Sequence, residues 1–527
     1  MTSGMDTVQA PQVPEAQRAA QAAPHSPPAA AGDAPAVASA ATAATPRPPA
    51  PALLAQRPRW TPVDAPGLPH GVLEHAEIEA PLDYARPDGP RITLALSRIR
   101  ATGAPGRRRG ILLSLNGGPG GDNGIGRGLP VRLAASTPLA EGYDLIGFDP
   151  RGTGDSTRLE GEDSPVTVPF DSRPPDEVFD ALAADMRERE EGCRRAGGEL
   201  RPHVSTRNNA RDMDLIRAVL GEEKLNFVGW AYGTLLGAVY GTMFPERLDR
   251  SVLDSSVHPD WDWRAQFRSQ AEATRENVDA WAEWTGERPS AFGLGSGPEA
   301  VIASVERTAA ALAALDGGRA LRTSFDMIIG TLAADRSRWD RLGELVGALL
   351  AAAEGADAAR AGELLAGQAE WRPGKPAGTR RDAVLEAVTS ETDWPSDPAL
   401  HHATMREFRE RCPYGLGVMR AQPWVGTFRT FTPPEAPTVL RGGGYPVGLV
   451  VQADGDPLDH HEGGRVMAER LGHRLIRITD SGAHEVYALG GNAAVDALVD
   501  RYLLDGELPS GAETCVPGVP RPAVPAG

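Results

Sequence analysis

The residues best placed to do chemistry are a bend framed by glycines in the middle of the chain and a carboxylate and an imidazole near its end. The segment Leu225-Asn226-Phe227-Val228-Gly229-Trp230-Ala231-Tyr232-Gly233-Thr234 reads as strand, tight turn and helix. Small residues two before and two after a central position let strained backbone push one side chain out above a sheet, at a helix amino terminus, where an attacking group is needed. The side chain so presented is Ala231, which has no atom able to attack a carbonyl. Asp456, in Gln452–Pro457, follows one β-branched run, and His484, in Ser481–His484, follows the next. A loop carboxylate there can orient an imidazole for proton transfer, and the order bend, acid, histidine is that of a triad. A fourth piece, Asn116-Gly117-Gly118-Pro119-Gly120-Gly121, follows an apolar strand. Its amides at Gly117 and Gly118 can face a developing oxyanion together with the amide of Tyr232. The chemistry these residues fit is acyl transfer, and the atom that would begin it is missing.

Other reactive residues have simpler readings. Asp454, Asp456, Asp459, His460 and His461 include enough ligand types for a divalent metal, but a loop built around an orienting acid accounts for Asp456 and solvent for the rest, so no metal and no cofactor is expected. Asp149 and Arg151 flank Pro150 and are expected to hold that turn together by hydrogen bonds and an ion pair. Glu391 and Asp393 are candidates for meeting a substrate ammonium. The tryptophans Trp261, Trp263, Trp281, Trp284 and Trp339 fit packing within a helical region. Cys193, Cys412 and Cys515 are too few and too far apart for a disulfide scaffold.

The elements that must position these groups follow from the pattern of the text. About half of residues 1–50 are Ala or Pro, so residues 1–58 read as a disordered tail, with order beginning near Trp60. Residues 59–259 alternate short aliphatic runs with turns and helical stretches; strands are expected at Ile92–Ile99, Gly110–Leu115, Tyr143–Phe148, Leu225–Val228 and Arg250–Leu253. From 260 to 440 the text turns to long Ala, Leu, Arg and Glu segments such as Ala300–Leu315 and Ser337–Gly355, the pattern of an inserted helical cap. Residues 441–527 bring strands at Tyr445–Gln452 and Arg474–Ile478, a helix near Asn492–Leu504 and a Pro-rich end. With 54 Lys and Arg against 71 Asp and Glu, the net charge of −17 repels phosphate backbones and anionic lipid, so neither nucleic acid nor a membrane is an expected partner. The opening residues lack the basic start and apolar run of a secretory signal, which places the chain in the cytoplasm; a misjudged start would allow export.

On these motifs the chain resembles the α/β-hydrolases related to proline iminopeptidase and, more closely, the actinobacterial tripeptidyl aminopeptidases. The resemblance runs from about Trp60 to Cys515. Its pieces are Pro81-Leu82-Asp83-Tyr84, the loop Gly117–Gly121, Gly147-Phe148-Asp149-Pro150-Arg151-Gly152-Thr153-Gly154, the bend at Ala231, and the Asp456 and His484 segments. It implies a mostly parallel sheet flanked by helices, an α/β fold with an inserted helical cap. It also implies a serine hydrolase of the aminopeptidase type, acting on small peptides or peptide-like amides and esters. By the same resemblance Ala231 stands at the nucleophile position, Asp456 and His484 complete the triad, and Gly118 with Tyr232 is similar to the oxyanion pair. The chain departs from the family at Ser390, where a cysteine is expected, and at Ala231.

Three readings of Ala231 stay open at this stage. It is an inactivating replacement in a serine hydrolase. Or the chain is a natural pseudo-hydrolase that binds a small ligand or does non-covalent acid–base chemistry with His484 and Asp456. Or another hydroxyl, that of Thr234 or Tyr232, attacks instead.

Overall fold

The computed structural model describes residues 50–120, 125–368 and 380–526. The Ala/Pro-rich residues 1–49 and Gly121, the last glycine of the loop, lie outside them. Among the described residues, twelve strands run in chain order as β1 (Thr61–Val63), β2 (Leu73–Pro81), β3 (Arg91–Ile99), β4 (Gly110–Leu115), β5 (Tyr143–Phe148), β6 (Glu160–Glu162), β7 (Leu225–Trp230), β8 (Leu248–Asp254), β9 (Arg380–Asp382), β10 (Leu449–Ala453), β11 (Arg474–Thr479) and β12 (Glu513–Pro517). Ten of them form one sheet in the order β1-β2-β3-β5-β4-β7-β8-β10-β11-β12. β1, β2, β3 and β5 pair antiparallel. From β5 through β4, β7, β8, β10 and β11 to β12 every pairing is parallel. β6 and β9 make a separate antiparallel ribbon.

The central strands are apolar along their length because both faces are covered. In β4, Ile111, Leu113 and Leu115 join the core on one face, which also holds Leu215, Ile216, Leu236 and Val239 from two helices. Leu112 turns to the other face and packs with Leu129 and Leu133 of the helix Ile125–Ser136 and Val495 and Val499 of the helix Ala493–Asp505. This period-two split puts a helix layer on each side and leaves the carboxyl ends of the strands to carry the loops.

Between β8 and β10 the chain runs through the helices Trp263–Gly286, Pro298–Ala313, Gly318–Ala334, Trp339–Glu354 and Ala358–Ala366. They enclose a core of their own, with Trp281, Phe325 and Trp339 fully buried. Asp262 caps the first of them by accepting from the Ala265 N–H at 2.7 Å. Among the described residues no helix is long and apolar enough to cross a membrane.

Several expectations need correction. A short helix, Pro51–Leu54, buries Leu53 in the main core, so the packed body begins ahead of Trp60. Gln56 then ties this helix to β2 through the N–H and carbonyl of Glu79. β10 starts at Leu449 rather than Tyr445, since Pro446 has no N–H to give a ladder. β1, β2, β6, β9 and β12 are not among the expected strands; β2 keeps its outward positions Glu77 and Glu79 exposed and its inward ones are partly alanine, a weak apolar signal. Asp149 and Arg151 do not pair with each other. Arg151, fully buried, makes two 2.7 Å hydrogen bonds to Asp212 and donates to the carbonyls of Pro81, Leu82 and His203. Asp149 instead accepts from Arg127 at 2.8 Å.

Candidate active site

Ala231 stands between β7 and the helix Tyr232–Met243, with φ 49° and ψ −119°. A residue with a Cβ in this region costs roughly 1–3 kcal/mol, so the surrounding contacts must hold it there. They do: the Ala231 N–H donates to the Asp254 carbonyl at 3.0 Å, and its own carbonyl accepts from the Thr234 N–H at 2.9 Å and the Thr234 hydroxyl at 2.7 Å. The two flanking glycines are required by close approach. A Cβ on Gly229 would lie 2.4 Å from the Gly233 carbonyl oxygen, and one on Gly233 would lie 2.3 Å from that of Leu115.

The loop after β4 passes directly over the bend. A Cβ at Gly117 would lie 3.1 Å from the Ala231 methyl and 2.8 Å from Oε1 of Glu485. The next residue, Gly118, takes φ 116°, which a side chain would strain. Gly117, Gly118 and the start of the helix at Tyr232 thus adjoin the point to which side chain 231 is aimed.

Asp456 and His484 come from the loops after β10 and β11. Nδ1 of His484 lies 3.0 Å from both carboxylate oxygens of Asp456. Asp456 is fully buried, and its Oδ1 also accepts from the N–H groups of Leu458 and Asp459. With a carboxylate at Nδ1, that nitrogen carries a proton and Nε2 is the end turned to chemistry. Burial works against a charged ring, but attraction and hydrogen bonding to Asp456, with Asp459 and Glu485 nearby, outweigh it and push the His484 pKa up to about 10. Asp459 is itself pushed upward by burial and by repulsion from Asp456. It accepts from Gln266 on the helix Trp263–Gly286 at 2.7 Å, joining that helix to the loop after β10.

The two alternative hydroxyls are committed elsewhere. Thr234 is fully buried, donating to the Ala231 carbonyl and accepting from the Val257 N–H at 3.1 Å. Tyr232 points its hydroxyl at Thr206, 3.2 Å away, and burial pushes its pKa up.

Of the two candidate acids for a substrate ammonium, Glu391 is engaged by Thr206 and Asp393 stands at the surface. Glu391 lines a cavity of about 80 Å³ with Trp261 and Trp263, but its two oxygens accept from the N–H and hydroxyl of Thr206 at 3.0 and 2.7 Å. Burial, opposed by those bonds, raises its pKa. Asp393 is exposed and pairs with Arg429 at 2.9 Å. The acidic and histidine stretch near Asp456 disperses: Asp454 pairs with Arg477, while His460 and His461 approach Glu276 of the helix Trp263–Gly286, their ligand-type atoms within 4.8 Å of one another. Nδ1 of His460 accepts from the Glu462 N–H, and Nε2 faces Glu276 at 3.4 Å, so hydrogen bonding already uses both ring nitrogens. Cys193 and Cys412 are buried, Cys515 is exposed, and all three are free thiols.

Two residues of the site were missed from the sequence. Asp254, at the end of β8, accepts from the Tyr487 N–H at 2.6 Å, and burial raises its pKa to about 7. Glu485 follows His484 with φ 59°, and its N–H donates to the Ser255 hydroxyl at 2.9 Å. A charged side chain directly after a candidate histidine is a signal the sequence offers; the positive φ is not.

Comparison with known proteins identifies the fold and the family. A family model described as alpha/beta hydrolase fold matches residues 110–296, and one described as TAP-like protein matches residues 424–515. The chain is 34% identical to a tripeptidyl aminopeptidase of Streptomyces coelicolor over 84% of its own length and 83% of that protein. It is 27% identical to serine protease Hip1 of Mycobacterium tuberculosis, over 88% and 91% of the two chains. With carboxylesterase B of Mycobacterium tuberculosis the identity is 29%, over 84% and 86%.

Proposed function

Because the chain belongs to the α/β-hydrolase family of tripeptidyl aminopeptidase-like proteins, we propose that the site around Ala231 and His484 takes small peptides or peptide-like amides and esters. In this reading Ala231 occupies the nucleophile position of a serine peptidase, Asp456 and His484 are the other two triad members, and the amides at Gly117, Gly118 and Tyr232 receive the oxyanion. In a complete triad the imidazole takes the hydroxyl proton and later gives it to the leaving amine, while the acid fixes the ring tautomer. Without the hydroxyl no acyl-enzyme forms. Triad removal costs on the order of a millionfold in rate and leaves about a thousandfold over water from the oxyanion donors and binding. The chain as written is therefore a binder of its substrate class first and a poor catalyst by the covalent route.

The observation that carries this reading is the placement of the Ala231 methyl under the Gly117 loop while Asp456 holds the imidazole of His484. The test is kinetic: Ala231→Ser should raise kcat/KM on amino-terminal peptide anilides by several orders of magnitude, with little change in KM. No gain over the unchanged chain on anilides and aryl esters alike would contradict it. A second reading, acid–base chemistry without a covalent step, is favoured by one observation, the carboxylate of Glu485 beside His484.

A further inference from the structure

Five observations converge on Glu485. Its Oε1 lies 3.9 Å from Nε2 of His484, the nitrogen that would serve a nucleophile. The same oxygen lies 2.8 Å from where a Cβ on Gly117 would stand, a point 3.1 Å from the Ala231 methyl, so the carboxylate occupies the space between bend, glycine loop and imidazole. The backbone beneath it is held at φ 59°, a conformation that costs a residue with a side chain roughly 1–2 kcal/mol. That posture is fastened by the bond from its N–H to the hydroxyl of Ser255, itself at φ 58°. Its side chain retains 32% of its surface, enough for water to reach it.

We propose that Glu485 is the base of a one-step hydrolysis that replaces the missing nucleophile. This rests on reading the site as that of a peptidase-type hydrolase. A water molecule beside the Ala231 methyl gives a proton to the Glu485 carboxylate as its oxygen bonds to the substrate carbonyl carbon. The carbonyl electron pair moves onto oxygen and is received by the amides of the glycine loop and Tyr232. On collapse the carbon–nitrogen or carbon–oxygen bond breaks, and the leaving group takes the proton from Nε2 of His484, which the acids around the ring keep charged. The proton on Glu485 then returns the imidazole to its charged form through solvent. One water and one amide or ester give one acid and one amine or alcohol, with nothing left bound to the protein.

The experiment uses the full chain with an aryl ester and an amino-terminal peptide anilide, comparing it with Glu485→Gln and Ala231→Ser. Glu485→Gln keeps the side chain's shape and removes its basicity, and its fold is checked by melting temperature and by peptide affinity. The expected result is slow turnover by the unchanged chain, linear from the first turnover and without fluorophosphonate labelling. Folded Glu485→Gln should then lose about a hundredfold or more of that rate. Equal rates for the unchanged chain and folded Glu485→Gln would overturn the inference, as would an inert unchanged chain alongside a labelled and active Ala231→Ser. Those outcomes leave the peptidase reading standing. If Ala231→Ser is neither labelled nor active, the reading beneath the inference fails with it.

Discussion

Oε1 of Glu485 lies 3.9 Å from Nε2 of His484, at the end of the ring opposite the Asp456 carboxylate, which holds Nδ1 at 3.0 Å. The imidazole is thus set between two acids, with Asp459 a third at 4.0 Å from Nδ1. A ring so placed favours its charged form over the neutral base that a serine nucleophile requires. The activity that Ala231→Ser restores should therefore keep rising with pH as the ring loses that proton.

The pH dependence follows from this ring. Its folded pKa, about 10, lies above the ordinary histidine value, so between the two the folded state binds the extra proton and the unfolded state does not. The stabilisation is complete below about pH 6.5, the ordinary value, and is lost as pH rises towards 10. Urea unfolding across that range should show stability falling in the unchanged chain and falling less in His484→Gln. A His484 resonance, assigned by its loss in His484→Gln, that titrates near 6.5 would contradict it.

The buried pair behind the bend is expected to matter for stability and not for chemistry. Arg151 and Asp212 are both fully buried, and the Tyr84 hydroxyl donates to the same carboxylate at 2.8 Å. Asp212→Ala leaves a guanidinium without its partner in a site closed to water and should cost about 3–5 kcal/mol. Chemical denaturation measures this, and a loss below 1 kcal/mol would show that the pair is not sealed from solvent.

Gly233→Ala should damage the bend itself. The added methyl would meet the Leu115 carbonyl at 2.3 Å, so β4 and the helix Tyr232–Met243 must separate. Overpacking of this kind costs roughly 1–3 kcal/mol. Melting temperature and peptide affinity should fall together, whereas a variant as stable as the parent would mean the helix can shift freely.

The site was legible in the sequence where backbone geometry demands a particular residue. Gly229 and Gly233 are forced by contacts under 2.5 Å, and that steric need marks Ala231 as the presented side chain. The central strands were legible because burial on both faces leaves unbroken apolar text, as in Gly110–Leu115. Long-range pairing was not. Nothing in the spacing says that Glu391 turns to Thr206 or that Asp393 reaches Arg429, since these partners lie 185 and 36 positions away. Arg151 pairs with Asp212, sixty-one positions away, and not with its neighbour Asp149, because the fold and not the spacing brings Asp212 to it. Glu485 was overlooked because a charged residue in a loop looks solvated until its φ and its distance to Nε2 are known.

The most direct measurement is covalent labelling of Ala231→Ser by a fluorophosphonate, read by intact mass and by peptide mapping. The account predicts one adduct, located on the new serine at position 231, absent from the unchanged chain and lost again in Ala231→Ser with His484→Ala. An unlabelled Ala231→Ser that still folds and melts like the parent would contradict it, as would an adduct on any other residue.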